Sequence, residues 1–300
     1  EALGALADEL EAMGCRFRLG EGYLEELTED VIFRTPGLRP DVPEIAAAVA
    51  RGSVLTSEME AFFEVCPCHM IAITGSDGKT TTSTIISELL KSEDKTVWLG
   101  GNIGHPLLCD TPRMRPEDYA VLELSSFQLM SMTRSPHVAV ITNLSPNHLD
   151  IHKDMEEYVT AKENIYLHQT AEDTVVLNLD NEITNGFVPK AKGNVMQFSR
   201  VSRPERGYYL RNDGMICRVD GAAETEIFPA DEILIPGVHN IENYMAAFCA
   251  VDGLVPVSVM EQLAKNFGGV SHRIELVRVK NGVKFYDSSI DSSPNRTRAA

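Results

Sequence analysis

Short apolar runs alternate along this chain with segments in which apolar residues recur at helical spacing. The runs that predict strands cover residues 70–74, 96–99, 119–124, 138–142 and 174–179. Strands that alternate with helices form βαβ units, and a wholly apolar run such as 138–141 is typical of a buried parallel strand. The pattern therefore predicts an α/β fold with a mostly parallel central sheet, whose ligands bind beyond the carboxyl ends of the strands.

The same pattern divides the chain into three predicted domains. In residues 1–66, helical spacing covers 2–13, 43–50 and 58–65, and strand-like runs cover 16–19, 31–35 and 53–56. Cys66-Pro67 interrupts this pattern, so we predict a first domain over 1–66 and a central domain over 67–270. An Asn-Gly pair at 281–282, between strand-like runs 274–279 and 283–286, predicts a hairpin that starts a third domain over 271–300.

Three helices and a β-rich segment complete the predicted central domain. Helical spacing covers residues 153–169, 236–248 and 259–267. Between the first and second of these helices, residues 194–219 predict antiparallel hairpins, with the clearest turn at 211–215. We interpret the hairpins as a small insertion at the edge of the sheet.

Composition narrows the possible partners. The chain has 27 Lys and Arg residues against 44 Asp and Glu residues, a net charge of −17, so we expect no nucleic-acid partner. Its first ten residues resemble neither a signal peptide nor a transit peptide, and no apolar run approaches the roughly 20 residues that cross a bilayer. Its six cysteines include no Cys-x-x-Cys pair. We therefore expect a cytoplasmic monomer without a membrane partner. The first residue is not Met, and we expect both ends to be cut.

The first predicted strand of the central domain runs into a glycine-rich turn and then a helix. The turn is Gly75-Ser-Asp-Gly-Lys-Thr80, in which the glycines bring backbone N–H groups close to a polyphosphate. Lys79 would contact the phosphates, and Thr80 stands where a hydroxyl binds the accompanying Mg²⁺. Position 73 is Ile where the general phosphate-loop pattern has Gly. The alternative is a glycine-rich turn with a surface lysine.

Polar residues follow the neighbouring predicted strands. Asn102 lies in the turn Gly100-Gly-Asn-Ile-Gly104, and Glu123, a candidate Mg²⁺ ligand, ends the strand 119–124. His148 follows strand 138–142 and is either a ligand of a second metal, a phosphate contact or a solvated loop residue. Asn240 and Asn243 share a helix face that suits a purine or ribose, although Asn240 could equally be an N-cap. The residues alone predict that Lys162 is a solvated helical lysine.

Seven motifs together resemble the Mur ligase family. They are Thr74-Gly-Ser-Asp-Gly-Lys-Thr80, Gly100-Gly-Asn-Ile-Gly104, Leu122-Glu-Leu-Ser-Ser-Phe-Gln-Leu129, Asn147-His-Leu-Asp150, Tyr158-Val-Thr-Ala-Lys162, His239-Asn-Ile-Glu-Asn243 and Ser271-His-Arg273. The resemblance implies a three-domain architecture: a central ATPase domain with a mostly parallel sheet and a small antiparallel portion, and Rossmann-like N- and C-terminal domains that are only partly present. The implied activity is ATP-dependent addition of D-glutamate to UDP-N-acetylmuramoyl-L-alanine through an acyl phosphate.

The resemblance also assigns roles to individual residues. It implies two Mg²⁺ sites, with Thr80 and Glu123 at the first and His148 and a carbamylated Lys162 at the second. Lys79, His148 and Lys162 would be catalytic, and Asn102, Ser125 and Gln128 would face the UDP-muramoyl substrate. The residues implied for ATP are Gly75, Ser76, Asp77, Gly78, Lys79, Thr80, Thr81, Asn240, Asn243 and Arg273. The D-glutamate contacts would lie beyond residue 300.

Two departures from the family pattern keep alternatives open. Asn147-His148 replaces an Asp-His pair, and Asp287-Ser-Ser-Ile290 replaces an Asn-Asp-Ser-Lys run. Asp287 or Asp291 could replace the lost carboxylate contact to ATP. The alternatives to a D-glutamate ligase are a related ligase for another amino acid and a nucleotide-binding protein that has lost catalysis.

Overall fold

The computed structural model describes residues 4–146 and 151–289. By internal packing the chain forms two units, one ending at Ser57 and the other beginning at Glu58. Two residues of the predicted metal and catalytic motif, Asn147 and His148, lie outside the described residues.

The first unit contains helices α1 (Ala5–Ala12) and α2 (Pro43–Ala50) and strands β1 (Val31–Phe33) and β2 (Val54–Thr56). The two strands pair in parallel, with Val31 opposite Val54. The strand predicted over residues 16–19 is wrong, because residues 15–19 have no regular secondary structure. Most of these residues are exposed, so water can satisfy their backbone groups and no strand partner is required.

The second unit is built on a nine-stranded sheet. Its strand order is β11-β10-β9-β8-β7-β6-β3-β5-β4. The strands are β3 (His69–Thr74), β4 (Val97–Gly101), β5 (Tyr119–Glu123), β6 (Val138–Ile141), β7 (Thr174–Asn178), β8 (Asn194–Ser199), β9 (Arg206–Leu210), β10 (Met215–Asp220) and β11 (Ala223–Pro229). All pairs from β4 to β9 are parallel, and β9-β10 and β10-β11 are antiparallel. The predicted α/β architecture with a mostly parallel sheet is confirmed.

Helices cover both faces of this sheet. They are α3 (Glu58–Val65), α4 (Lys79–Lys91), α5 (Ser126–Leu129), α6 (Met155–Leu167), α7 (Glu182–Asn185), α8 (Val238–Ala250) and α9 (Val257–Asn266). Successive side chains of a strand point to opposite faces. Accordingly, Ile71 and Ile73 of β3 pack with residues of α4 and α8, whereas Met70 and Ala72 pack with residues of α3 and α6.

Two predictions for this unit differ from the structure. The predicted boundary after residue 66 lies beyond the observed one, because Met59, Phe62 and Phe63 of α3 are buried in the central core. The antiparallel interpretation of residues 194–210 is wrong, since β8 pairs in parallel with both β7 and β9. The short helix α7 between β7 and β8 supplies a crossover, which is the connection that parallel strands need. The predicted turn at 211–215 does join two antiparallel strands, β9 and β10.

A two-stranded hairpin follows the sheet domain. Strands β12 (Glu275–Lys280) and β13 (Val283–Asp287) are antiparallel and are joined by Asn281 and Gly282. Both turn residues have positive φ, 52° and 81°, which is the conformation that an Asn-Gly turn favours. The hairpin is confirmed, and a third domain starting at residue 271 stays a prediction. Among the described residues, no helix is both long enough and apolar enough to span a membrane.

Candidate active site

The turn between β3 and α4 has the shape of a phosphate loop. Gly78 is the N-cap of α4 and has φ 83°, a left-handed conformation that favours glycine. A Cβ at this position would lie 2.3 Å from Oδ1 of Asn243. At Gly75 a Cβ would lie 1.9 Å from Oγ1 of Thr142, so both glycines are required by close neighbours. The N-terminus of the 13-residue helix α4 therefore opens directly onto the loop.

The end of β6 holds this loop in place. The backbone N–H of Asp77 donates to Oδ1 of Asn143 at 3.0 Å, and the Thr142 hydroxyl donates to the carbonyl of Asp77 at 2.6 Å. The hydroxyl of Ser76 lies 2.9 Å from that of Tyr158 on α6. These bonds fix the loop without a ligand, so little ordering is left for a phosphate to impose.

Lys79 lies at the start of α4 and folds back over the loop. Its Nζ donates to the carbonyls of Gly75 at 3.0 Å and Ser76 at 3.2 Å. The ammonium is therefore held where the loop curves, close to the helix N-terminus. Thr81, also predicted to serve ATP, lies on the same first turn.

A carboxylate and a hydroxyl meet beside the loop. Glu123, at the end of β5, is only 3% exposed; its Oε2 accepts from the Thr80 hydroxyl at 2.7 Å and its Oε1 from Nδ2 of Asn102 at 3.0 Å. Nη2 of Arg273 donates to Oγ1 of Thr80 at 3.0 Å. Hydroxyl and carboxylate oxygens are hard donors of the kind Mg²⁺ prefers, so this pair fits the predicted first metal.

Lys162 is buried, which makes its interpretation as a solvated lysine wrong. It is 2% exposed on α6, and its Nζ donates to Oγ1 of Thr74 at 2.9 Å and to the carbonyl of Gly75 at 3.0 Å. Burial lowers the pKa of Lys162 well below its usual value, and the nearby Lys79 charge lowers it further, while Glu123 opposes the change. The site thus favours a neutral amine beside the phosphate loop.

Two buried amides lie on the α8 side of the loop. Gly237 is the N-cap of α8, so the alternative in which Asn240 is the N-cap is wrong. The Asn240 side chain instead donates to the carbonyl of Pro236 at 2.6 Å. Asn243 donates to Oδ1 of Asn240 at 3.0 Å and accepts from the Thr82 hydroxyl at 3.3 Å. The pair therefore braces α4, and a contact to ATP stays a prediction.

Comparison with known proteins identifies the family. Residues 73–251, more than half of the chain, match the Mur ligase middle domain. The chain belongs to the Mur ligase family. It is 55% identical over 298 residues to the UDP-N-acetylmuramoylalanine--D-glutamate ligase of Acetivibrio thermocellus, and 52% identical over 301 residues to the ligase of that name from Ruminiclostridium cellulolyticum. These alignments cover 99% and 100% of the chain but only 64% of each relative, so the chain spans about two thirds of their length.

Solved Mur ligases share the fold at low identity. MurF from Acinetobacter baumannii superposes with a TM-score of 0.62 at 19% identity, over 85% of this chain and 64% of MurF. MurF from Thermotoga maritima, determined in complex with ADP, superposes with a TM-score of 0.59 at 18% identity, over 92% of this chain and 72% of that one. These superpositions confirm the Mur ligase architecture.

The predicted substrate contacts of this Mur ligase chain already have local partners. Ser125 is the N-cap of α5 and forms a capping box with Gln128, whose backbone N–H donates to Oγ of Ser125 at 3.2 Å. Asn102 is exposed, and its amide contacts Glu123. Their roles toward a sugar nucleotide stay predictions, as does that of His148.

The sequence interpretation missed the residues that support the phosphate loop. Thr142 and Asn143 follow β6, the strand next to β3, and both contact Asp77. Their position at the carboxyl end of a neighbouring parallel strand was the available signal.

Proposed function

We propose that the protein containing this chain is an ATP-dependent ligase that adds D-glutamate to UDP-N-acetylmuramoyl-L-alanine in peptidoglycan precursor synthesis. The observation that carries the proposal is the cluster of four side chains at the carboxyl ends of the central strands. They are Lys79, Thr80, Glu123 and Lys162. Two relatives of this chain, at 55% and 52% identity, carry that activity in their names. The products would be the glutamyl-extended sugar nucleotide, ADP and phosphate.

ATP fits the loop between β3 and α4. The loop is bonded in place by Asn143 and Thr142, and Lys79 supplies a positive charge next to the helix N-terminus. The related MurF from Thermotoga maritima was solved with ADP. Arg273, bonded to Thr80, would add a second positive charge beside the phosphates.

We assign the first Mg²⁺ to Thr80 and Glu123. When bound, the ion would neutralise charge on the transferring phosphoryl group. Asn102 holds Glu123 through Oε1, which leaves the orientation of that carboxylate fixed. A second Mg²⁺ at His148 and Lys162 is proposed on the family resemblance alone, since His148 lies outside the described residues.

We propose that Lys162 is carbamylated. A neutral amine attacks the carbon of CO₂, an N–C bond forms, and the nitrogen loses a proton to leave a carbamate anion. The burial that lowers the pKa of Lys162 favours the neutral amine needed for this step. The oxygens of the carbamate are hard ligands, whereas the unmodified ammonium cannot bind a cation.

The reaction needs positioning more than covalent help from the protein. The substrate carboxylate attacks the γ-phosphorus, the bond to ADP breaks, and an acyl phosphate results. The amine of D-glutamate then attacks the acyl carbon, loses a proton, and phosphate leaves. A loop fixed before binding and a charge held by two carbonyls are suited to such phosphoryl transfer, in which orientation and electrostatics dominate.

Phosphate release by the full-length protein tests the proposal. We expect release only when ATP, UDP-N-acetylmuramoyl-L-alanine and D-glutamate are all present, and none from Lys79→Ala, whose half-buried side chain is not part of the core. A related ligase would require a different amino acid, and a protein that only binds nucleotide would release nothing. Turnover by Lys79→Ala at the normal rate and ATP affinity would contradict the phosphate-loop assignment. We also propose a cytoplasmic monomer, which sedimentation of the purified protein would test for oligomeric state.

A further inference from the structure

A buried histidine just before α6 connects two parts of the candidate site. His152 is 2% exposed, and its Nε2 lies 2.8 Å from Oγ of Ser126, the first residue of α5. Its ring stacks on that of Phe127, with centroids 5.2 Å apart and planes 7° apart. Its Nδ1 lies 3.5 Å from Oε2 of Glu157 on α6. One imidazole therefore contacts the segments that follow two different strands, β5 and β6.

The same ring packs against Tyr158, which belongs to the phosphate-loop side of the site. The two ring centroids are 5.3 Å apart, and the planes meet edge to face at 74°. The hydroxyl of Tyr158 lies 2.9 Å from Oγ of Ser76 in the phosphate loop. Nζ of Lys162 lies 5.1 Å from the centroid of the Tyr158 ring. His152 thus reaches both the phosphate loop and Lys162 through one intermediate side chain.

Ser126 connects His152 to the other side of the site. It directly follows Ser125, whose hydroxyl accepts from the backbone N–H of Gln128 in the capping box of α5. Ser125 and Gln128 are the side chains predicted to face the UDP-muramoyl substrate. Because α5 has only four residues, contacts from outside the helix are needed to hold it in place. Ser126 is itself 2% exposed, so its hydroxyl serves the protein interior and not a substrate.

The sheet order shows what the contact between His152 and Ser126 spans. β3 lies between β6 and β5, and it leads into the phosphate loop. A bond between the segments that follow β6 and β5 therefore passes across the end of β3. In the proposed reaction the substrate carboxylate attacks the γ-phosphorus, so the separation of these segments sets the distance between the reacting atoms.

We propose that His152 is a positioning residue, which fixes α5 relative to Tyr158 and so fixes the sugar-nucleotide side of the site relative to the phosphate loop. The proposal rests on the proposed function. His152 acts through Ser126 and Tyr158, and it does not touch a reacting group. The alternative is that the imidazole only fills the space between α5 and α6, in which case its contact with Ser126 affects stability but not rate.

Steady-state kinetics of the full-length protein test the proposal. His152→Phe keeps a ring between Phe127 and Tyr158 but loses the polar contact, and Ser126→Ala removes the same contact from the other partner. We expect kcat per folded molecule, at saturating substrates, to fall about tenfold to a hundredfold in both variants, since a misplacement of about 1 Å can cost that much. His152→Gln keeps a hydrogen-bonding group near the position of Nε2 and should recover part of this loss.

The KM for ATP separates misalignment of the two substrates from damage to the phosphate loop. Asn143 and Thr142 still hold the loop in both variants, so this KM should stay within about twofold of wild type. The double variant His152→Phe/Ser126→Ala should lose no more kcat than either single variant, because both changes break the same hydrogen bond.

Tyr166→Phe is the matched control for stability. It also removes a buried hydrogen bond from α6, to Oε1 of Glu163, but two turns further along the helix than Tyr158. It should lower the Tm and keep the wild-type kcat. Ser126→Ala deletes a single oxygen and so keeps the test available even where His152→Phe does not fold.

Three results would overturn this proposal alone. They are a wild-type kcat in folded Ser126→Ala, a loss of kcat in Tyr166→Phe equal to that in His152→Phe, and additive losses in the double variant. Failure of wild type to release phosphate with ATP, UDP-N-acetylmuramoyl-L-alanine and D-glutamate would overturn the proposed function as well.

Discussion

Replacing Lys162 gives the sharpest test of how the buried lysine acts. Lys162→Ala removes the bonds to Thr74 and Gly75 and empties the space that the side chain fills. Lys162→Met also removes the charge but refills that space with an unbranched chain. The two variants therefore share the chemical loss and differ in whether a small molecule can enter.

The structure sets the expected magnitudes. Loss of a preorganised electrostatic group near the transferring phosphoryl should lower kcat by about 10²–10³ in both variants. Lys162→Ala also removes three buried methylene groups at about 0.8 kcal/mol each, so its unfolding free energy should be about 2 kcal/mol below that of Lys162→Met. In the absence of metal and CO₂, the free energy of unfolding of wild type should rise with pH relative to that of Lys162→Met. The reason is that a lysine with a lowered folded-state pKa releases its proton earlier in the folded than in the unfolded chain.

Turnover with and without acetate or formate is the deciding assay. We expect short carboxylates to restore part of the activity of Lys162→Ala, by supplying oxygens in the empty space, and none of the activity of Lys162→Met. Independently, ¹³C-bicarbonate should give a carbamate carbon signal by NMR in wild type that is missing from both variants. Normal turnover of Lys162→Ala would refute the carbamate, and equal rescue of both variants would show that acetate acts elsewhere.

Three further predictions concern the metal pair, the loop and the C-terminal hairpin. Glu123→Ala should shift the Mg²⁺ titration of activity to higher concentration, since it removes the buried carboxylate beside Thr80, and an unchanged titration would exclude Glu123 from the metal site. Gly78→Ala should lower the free energy of unfolding by more than the about 1–2 kcal/mol that a left-handed backbone costs, because its Cβ meets Asn243. Gly214→Ala, with φ 87° and open space around it, is the control that shows the backbone cost alone in chemical denaturation. Hydrogen bonding to Asp287 raises the pKa of His272, and hydrogen bonding to His272 lowers the pKa of Asp287. Their ion pair therefore forms above the lowered pKa of Asp287 and is lost as pH rises through the raised pKa of His272. Protection factors of the amides in β12 and β13, which correct for the base-catalysed intrinsic exchange rate, should therefore be larger at mildly acidic than at alkaline pH, and Asp287→Asn should remove that difference.

Much of the site was predictable because it lies at strand ends. The wholly apolar run 138–141 is β6, buried along its whole length, and the motif 74–80 forms the loop next to it. Because β3 and β5 are parallel neighbours, their carboxyl ends lie side by side, and this brings Thr80 and Glu123 close together. Sequence order and strand direction were enough for this part.

Lys162 shows how a general expectation can override a local signal. Tyr158 and Ile165 are buried on α6, and Lys162 lies four residues after the first and three before the second, on the same face. The helical period thus placed it inside. The general expectation that lysines are exposed was given more weight than this helical spacing. A buried lysine with a shifted pKa is instead typical of a functional site.

The wrong direction predicted for the β8–β9 pair has a different cause. Turn-like residues at 200–205 suggest a hairpin, yet the register places Gln197 opposite Gly207, so these six residues carry the chain back along the strand. The direction of a strand depends on the strands with which it pairs. β8 is parallel to β7 on one side and to β9 on the other. A window of local sequence does not contain that information.

The charge of the whole chain does not decide what this site binds. Exposed charges act over roughly 8 Å at physiological salt, so most of the excess acidic residues do not reach the phosphate loop. Near the loop, Lys79 and Arg273 are held by bonds to Gly75 and Thr80, and Glu123 is the carboxylate bonded to Thr80. Two fixed cations, a helix N-terminus and one carboxylate suited to a hard cation provide the charge pattern that a metal-bound triphosphate needs. The proposed binding of an anionic nucleotide by an acidic protein is therefore explained by the few groups that the strand ends bring together.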